Sequence, residues 1–236
     1  MKAGIIAAGE GSRLKSEGVL LPKPLVRVDG TPLIERLLRS YAHCGIEEVV
    51  CIVNEYSLEV KRFVESNNFG VPVKFVVKTT LSSMHSLIEL SPHLAGGKFL
   101  LSTVDSIFKD SELSNFIEHS RGTMSSQSSL AVTDFIDDEN PLYVHVDGGM
   151  NITSFGKRGI NDNTPWVTGG LYILSPDIFR ETDAILKSGI ERLRNYLGYL
   201  LSHGYNFDAF PFSKIVDVDH VGDIATAERL LKSIAN

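Results

Sequence analysis

Through residue 122 the apolar positions follow two alternating rhythms. Short apolar runs, "KAGIIAA", "EEVVCIVN", "VPVKFVVK" and "KFLLSTVD", have the length and bounding residues of buried strands. Between them lie stretches with helical spacing. In "TPLIERLLRSYAHCG", Leu33, Leu37, Leu38 and Tyr41 share one helical face. Thr31 reads as its cap, Pro32 as its first helical position and Gly45 as its stop. "SLEVKRFVESN" is a helix opened by Ser57, and "SSMHSLIELSPHL" and "DSELSNFIEHS" are two more. Strands alternating with helices predict an α/β fold of three layers: a mostly parallel central sheet, helices on both faces and right-handed crossovers.

After residue 122 the rhythm changes. "SLAVTDF", "LYVHVD" and "NITSFGK" are strand-like without helices between them, and "DFIDDENP" reads as a solvated, turn-rich acidic loop. "WVTGGLYILSP" is a further strand with a glycine pair near its start. "IERLRNYLGYLLSHG" is an amphipathic helix ending at Gly204, "NFDAFPF" and "KIVDVD" are short strands, and "GDIATAERLLKSIAN" is a closing helix. No repeat interrupts the chain. Residues 1–236 therefore read as one domain, in which 123–236 complete a pocket on 1–122.

Composition narrows the function classes. The 236 residues are 43% hydrophobic and 22% charged, as in an ordinary soluble domain. No apolar run approaches the roughly 20 residues of a membrane span, and no signal-peptide core follows the start, so a cytoplasmic protein is expected. Cys44 and Cys51 show no metal spacing and read as two reduced thiols. A net charge of −6 excludes a general nucleic-acid surface. Residues 1–40 run against that balance, with seven Lys or Arg against four acids, which points to a small anionic ligand.

That ligand has a natural seat. "GIIAAGEGSRL" ends an apolar run in Ala7, Ala8, Gly9, Gly11 and Ser12, where bare backbone N–H groups can approach phosphate oxygens. Arg13 adds a planar donor fork suited to phosphate. No Lys-Ser or Lys-Thr follows the glycines, so this is not a P-loop. Leu14 stands where a dinucleotide fingerprint needs its third glycine. What remains is a long phosphate-wrapping loop that returns Lys23, held between Pro22 and Pro24, as a fixed positive charge.

"AAGEGSRL…PKPLVRVDGTPLIERLL" resembles the signature of the nucleotidyltransferases that join a nucleoside triphosphate to a sugar 1-phosphate or related phosphate. The match is continuous over residues 4–38, with weaker agreement toward the C-terminus. The resemblance implies a Rossmann-like, nucleotide-diphospho-sugar transferase fold. It also implies Mg²⁺ dependence and two small-molecule partners, a triphosphate and a phosphorylated acceptor such as a sugar 1-phosphate. A homo-oligomer is compatible with the sequence. No long extension follows the closing helix, so no second, acyltransferase-type domain is expected.

Site residues carry over position by position. Ala7, Ala8, Gly9, Gly11 and Ser12 would wrap the triphosphate, Arg13 would hold the leaving pyrophosphate, and Lys23 would stabilise charge at the α-phosphorus. Asp105, just past the fourth strand, is a metal ligand in the family pattern. The second carboxylate is Asp217 if Ile224 stands for the closing-helix leucine, or Asp219 if the D-T-P-E-D-L pattern applies; the first alignment is slightly favoured. Asp223 reads as a first-turn helix residue.

Ser82 and Ser83 occupy the base-pocket segment, but "SSMHSL" departs from the G-[TS]-A-x-A-L pattern and is similar to the phosphocholine cytidylyltransferase branch. The base is therefore open, and His85 reads equally as ligand contact or structural residue. On the acceptor side the resemblance implies Lys157, Thr168, Gly169 and Gly170. Gly156 replaces a glutamate that would bind sugar hydroxyls, and Trp166 reads as either a stacking or a core residue. A phosphate monoester needs no strong general base, so catalysis would be positioning and electrostatics. The alternatives are cytidylyl transfer to a non-sugar phosphate such as phosphocholine on the same fold, a nucleotide sensor without catalysis, and a dinucleotide oxidoreductase.

Overall fold

The computed structural model describes residues 1–137, 139–157 and 165–235. The chain opens with β1 (Lys2–Ile6) and a short helix α1 (Ser12–Ser16), followed by one 3-10 turn at Lys23–Leu25. Then come β2 (Arg27–Val28), β3 (Thr31–Pro32), α2 (Leu33–His43), β4 (Glu48–Val53), α3 (Leu58–Glu65), β5 (Val73–Val77) and α4 (Ser83–Leu94). Next are β6 (Phe99–Thr103), β7 (Ser106–Ile107), α5 (Asp110–Gly122), β8 (Ser128–Thr133), β9 (Tyr143–Val146), β10 (Ile152–Gly156) and β11 (Trp166–Leu174). A 3-10 segment at Pro176–Glu181 leads to α6 (Thr182–Ser188), α7 (Leu193–Ser202), β12 (Phe207–Pro211), β13 (Val216–Asp217) and α8 (Val221–Ala235).

β1 pairs in parallel with β4 on one side and β6 on the other, and β5 continues the sheet beyond β4. On the far side β11 runs antiparallel to β6, β8 antiparallel to β11, and β12 parallel to β8. Along the order β5-β4-β1-β6-β11-β8-β12, only β11 is reversed, so the sheet is mixed and mostly parallel. β9 and β10 form an antiparallel branch that joins the start of β11. Chain order reverses between β1 and β6, which makes their carboxyl ends a topological switch point, the place where open α/β sheets bind ligands.

The alternation of apolar residues explains the layers. Ala3, Ile5 and Ala7 enter a core built with α2, α3 and α5, whereas Ile6 faces the opposite core, built with α4, α6 and α7. A third, smaller core joins Leu14, Val28, Leu33, Ile107, Val216 and Leu230. It fastens the glycine loop, the start of α2, β7, β13 and α8 beneath one corner of the molecule.

Three local expectations change. Thr31 does not cap α2: Asp29 (φ 49°) and Gly30 (φ 74°) form a tight hairpin turn that pairs Thr31–Pro32 with Arg27–Val28. The turn outcompetes the cap, and α2 starts at Leu33. α7 starts at Leu193 instead of Ile190, and the helical pieces at Ser12–Ser16 and Pro176–Ser188 were not expected. Cys44, at the end of α2, and Cys51, in β4, are both free thiols. Among the described residues no helix is long and apolar enough to cross a membrane.

Candidate active site

The glycine loop leaves β1 in a fixed direction. Ala7 N–H donates to the Ile52 carbonyl (3.0 Å), and Asn54 Nδ2 donates to the Ala8 carbonyl (3.1 Å). Gly11 then takes a left-handed conformation (φ 61°) and opens α1, its carbonyl accepting from Lys15 N–H (3.0 Å). A Cβ at Gly11 would lie 3.1 Å from Lys23 Cβ. The glycine therefore serves both the turn and the close approach of Lys23. The walls of a cavity of about 330 Å³ include Ala7, Gly9, Gly11, Ser12, Arg13 and Lys23.

Lys23 is the hub of the charges. Its ammonium donates to Asp105 Oδ2 and to Asp219 Oδ1 (2.5 Å), and Arg13 Nη1 donates to Asp219 Oδ2 (2.5 Å). Burial opposes the charge on Lys23, but the combined attraction of Asp105 and Asp219 outweighs it and raises the pKa. Asp105 is the mirror case: burial works against its charge, and Lys23 overcomes burial and lowers its pKa.

Asp217 differs. It accepts from Ser106 Oγ (2.7 Å) and makes no ion pair among the described residues. Burial first, then the charge of Asp105, push its carboxyl from the ordinary 3.8 to about 7. Two features fit a hard divalent cation. Asp105 Oδ1 is buried without a hydrogen-bond partner, and Asp105 and Asp217 repel each other in a largely buried site. Among the described residues no three His, Cys, Asp or Glu side chains are gathered to hold a metal by themselves. Mg²⁺ takes one or two carboxylates and completes its shell with phosphate and water oxygens, so the donor set fits.

A second cavity, of about 230 Å³, meets the first at Arg13, Thr103, Asp105 and Asp219. Thr168, Gly169 and Gly170 lie on its wall, at a register shift between Thr168 and Tyr172 where β11 bulges against β8. The glycines are needed for packing. A Cβ at Gly169 would lie 2.1 Å from Ile215 Cδ1. One at Gly170 (φ 72°) would lie 2.5 Å from Ser106 Oγ and 2.8 Å from Thr103 Oγ1. The bare backbone admits the β7–β13 pairing that carries Asp217. Burial pushes the Tyr172 phenol on this wall up to about 12.

The closing segment is tied to the glycine loop. Asp223 accepts from the N–H groups of Asp219 (2.9 Å) and His220 (2.6 Å), as expected of a first-turn helix residue. Glu17, just after α1, accepts from Val221 N–H (2.6 Å) and pairs with His220 Nδ1 (2.5 Å).

Arg13, Lys23, Asp105, Asp217 and Asp219 thus converge, with Gly9, Gly11 and Ser12 on one side and Thr168, Gly169 and Gly170 on the other. Other expected residues lie apart. Ser82 Oγ donates to the Glu191 carbonyl and contacts His85 Nδ1 (2.9 Å), while Ser83 Oγ accepts from Leu193 N–H (3.2 Å). Neither serine lines the two cavities, nor does Ala8. His85 is half-buried, and Trp166 packs against the core beside α4 and α7. Lys157 is exposed beyond the end of β10 and is not on the described walls, though its carbonyl accepts from His145 Nε2 (3.1 Å).

The acidic loop read as solvated instead forms a wall: Phe135, Ile136, Asp137, Glu139, Pro141 and Leu142 line the second cavity; Asp138 lies outside the described residues. Arg194, hidden inside a helical pattern, lines it too. Its only sequence signal was a basic residue at the start of an amphipathic helix.

Comparison with known proteins places the chain in a family. Residues 3–150 match the model of the MobA-like NTP transferase domain. The chain is 23% identical over 237 residues to the UTP–glucose-1-phosphate uridylyltransferase AglF of Haloferax volcanii, covering 98% of this chain and 97% of that protein. It is 26% identical over 197 residues to a 2-aminoethylphosphonate cytidylyltransferase of Lancefieldella rimae, covering 80% and 75%. It spans only 41% of the bifunctional protein GlmU of Methanococcus aeolicus. The solved inositol-1-phosphate CTP transferase of T. maritima superposes with a TM-score of 0.84 at 23% identity, over 100% of this chain and 96% of that one. That likeness carries the nucleotide-diphospho-sugar transferase type of fold.

Proposed function

We propose that this chain, which belongs to the MobA-like NTP transferase domain family, transfers a nucleotidyl group from a nucleoside triphosphate to a small phosphorylated acceptor, releasing pyrophosphate. One observation carries the reading. Lys23 bridges Asp105 and Asp219, with Arg13 on the same carboxylate, where a glycine-lined cavity meets a second one. One cavity suits the triphosphate and the other the acceptor.

Asp105, with Asp217 or Asp219, would hold Mg²⁺, which when bound neutralises triphosphate charge and helps align it. Arg13 and Lys23 are held in the free protein by carboxylates of the same site. Once triphosphate enters, Arg13 turns to the departing pyrophosphate oxygens. Lys23 stabilises charge that develops at the α-phosphorus. The acceptor oxygen, already anionic near neutral pH, attacks in line. No general base is assigned, since positioning and preorganised charge suffice. Backbone N–H groups of Gly9, Gly11 and Ser12 cradle the phosphates.

A sugar 1-phosphate is the first acceptor class to test, by analogy with the uridylyltransferase relative. A second class is a non-sugar phosphate or phosphonate bearing an ammonium group. Asp137 and Glu139 on the acceptor wall favour it, as does the aminoethylphosphonate relative. The experiment is a matrix of triphosphates against glucose 1-phosphate, inositol 1-phosphate, phosphocholine and 2-aminoethylphosphonate, with Mg²⁺, read by pyrophosphate release. Turnover that disappears in Lys23→Ala and Asp105→Asn supports the reading. Triphosphate binding without turnover on any acceptor would make the protein a nucleotide sensor instead.

A further inference from the structure

We propose that Glu17 is a positioning residue: it clasps the glycine loop to the start of α8 and keeps Arg13 in place once triphosphate has drawn Arg13 off Asp219. The inference rests on the nucleotidyl-transfer reading and deepens it by naming a residue that lines neither cavity.

The need arises from the shortness of α1. The helix spans five residues, Ser12–Ser16, and carries Arg13. Isolated helices below roughly 12 residues are marginal in water, so tertiary contacts must hold this one. Leu14 supplies an apolar contact, in the small core that also contains Val218 and Leu230. The polar contacts, among the described residues, join 9–25 to 217–235 through Arg13 and Lys23 on Asp219 and through Glu17 on His220 and Val221.

These ties differ in what substrate does to them. Arg13 and Lys23 must leave Asp219 for phosphate oxygens, and Asp219 is itself a candidate metal ligand. Entry of the triphosphate therefore breaks that tie. Glu17 stands at the C-terminal end of α1 and reaches the other way. Its Oε2 accepts from Val221 N–H (2.6 Å), and its Oε1 accepts from His220 Nδ1 (2.5 Å). Both donors sit at the start of α8, directly after Asp219. Asp223 already takes the N–H groups of Asp219 and His220, so Glu17 completes this turn without competing for its donors. A carboxylate at the first turn of a 15-residue helix is also favourably placed against its dipole. An exposed ion pair alone contributes little. A carboxylate held by a backbone N–H and an imidazole together is fixed in one geometry. The clasp uses neither Arg13 nor a candidate metal ligand, so it outlasts substrate entry and keeps α1 in register with Asp219.

The test uses the full chain and the variants E17A and E17Q, with MgCl₂, UTP or CTP, and glucose 1-phosphate, inositol 1-phosphate or 2-aminoethylphosphonate as acceptor. One readout is pyrophosphate release. The other is trypsin cleavage after Lys15, inside α1, measured against cleavage after the exposed Lys187 on α6. In E17A the triphosphate KM is expected to rise about tenfold while the acceptor KM stays within about twofold. At saturating triphosphate, wild type is protected after Lys15, and E17A is protected at least about fivefold less, with cleavage after Lys187 unchanged. E17Q keeps an oxygen for Val221 N–H and recovers most of both effects. Faster cleavage of E17A at Lys15 and Lys187 alike would mark a merely structural role and overturn the proposal. So would a triphosphate KM and a protection of Lys15 equal to those of wild type. A wild type that binds neither triphosphate would overturn the transfer reading and this clasp with it. Failure of the clasp alone leaves pyrophosphate release by wild type intact.

Discussion

Lys23 Nζ lies 2.5 Å from Asp219 Oδ1 although 196 residues separate them. The same ammonium donates to Asp105, and both side chains of that second pair are largely buried. Lys23→Ala leaves two carboxylates without their shared cation. Turnover is expected to fall on the order of 10²–10³-fold, and stability by about 3 kcal/mol in metal-free buffer. Added Mg²⁺ should restore much of the lost melting temperature, because it replaces the missing positive charge. Thermal unfolding with EDTA and with MgCl₂ checks this; a deficit unchanged by Mg²⁺ would remove the carboxylates from the metal's site.

Gly170 carries a second prediction. Alanine there must adopt φ near 72° and press on the hydroxyls of Ser106 and Thr103. Destabilisation of about 2 kcal/mol is expected. Because Ser106 holds Asp217, the variant should also bind Mg²⁺ several-fold more weakly in the presence of a triphosphate. Gly156→Ala is the control, since a Cβ there meets nothing within 4 Å. Calorimetric Mg²⁺ titration and denaturant melts of both variants decide the matter.

The pH dependence of the metal-free protein follows from Asp217. Its pKa rises from the ordinary 3.8 to about 7 on folding. Between those values the native state binds a proton that the unfolded chain has released, so stability falls as pH rises. Below the window both states are protonated, and above it the penalty is complete. In EDTA, the melting temperature of wild type relative to Asp217→Asn should drop from pH 5 to pH 8. A flat difference would mean that the carboxyl is not held neutral.

Asp223 offers a smaller, graded effect. Removing its carboxylate in Asp223→Ala frees two N–H groups and should cost about 1 kcal/mol. It should also raise the Mg²⁺ requirement, because Asp219 loses its backbone brace. Asp223→Asn retains an acceptor and should recover most of the stability. If alanine and asparagine behave alike in thermal melts, the brace has no role.

The strand–helix alternation and the glycine loop were legible because they depend on neighbours in sequence. Gly11, Arg13 and Lys23 could be assigned to one loop from spacing alone, and they line one cavity. Thr31 misled because the Asp29–Gly30 turn is a stronger local signal than a cap two residues before a helix face. Gly169 and Gly170 line the second cavity, and their need for bare backbone comes also from Ile215, Ser106 and Thr103, contacts no local pattern contains. Asp137, Glu139 and Arg194 were hidden for the same reason. A charge on a loop or helix looks solvated until the fold shows the wall it stands on.

The pairing of β7 with β13 has a temporal consequence. Ser106 and Asp217 are 111 residues apart, so the partner of the earlier-made half is supplied much later in translation. A nascent chain that has emerged only to residue 215 already contains the glycine loop, Lys23 and Asp105 but none of the late carboxylates. Such an intermediate would hold Lys23 against Asp105 alone and leave the Gly170 bulge without its hairpin. The charge cluster around Lys23 is thus completed only once residues 217–219 have been made, and turnover that depends on it must wait for that segment.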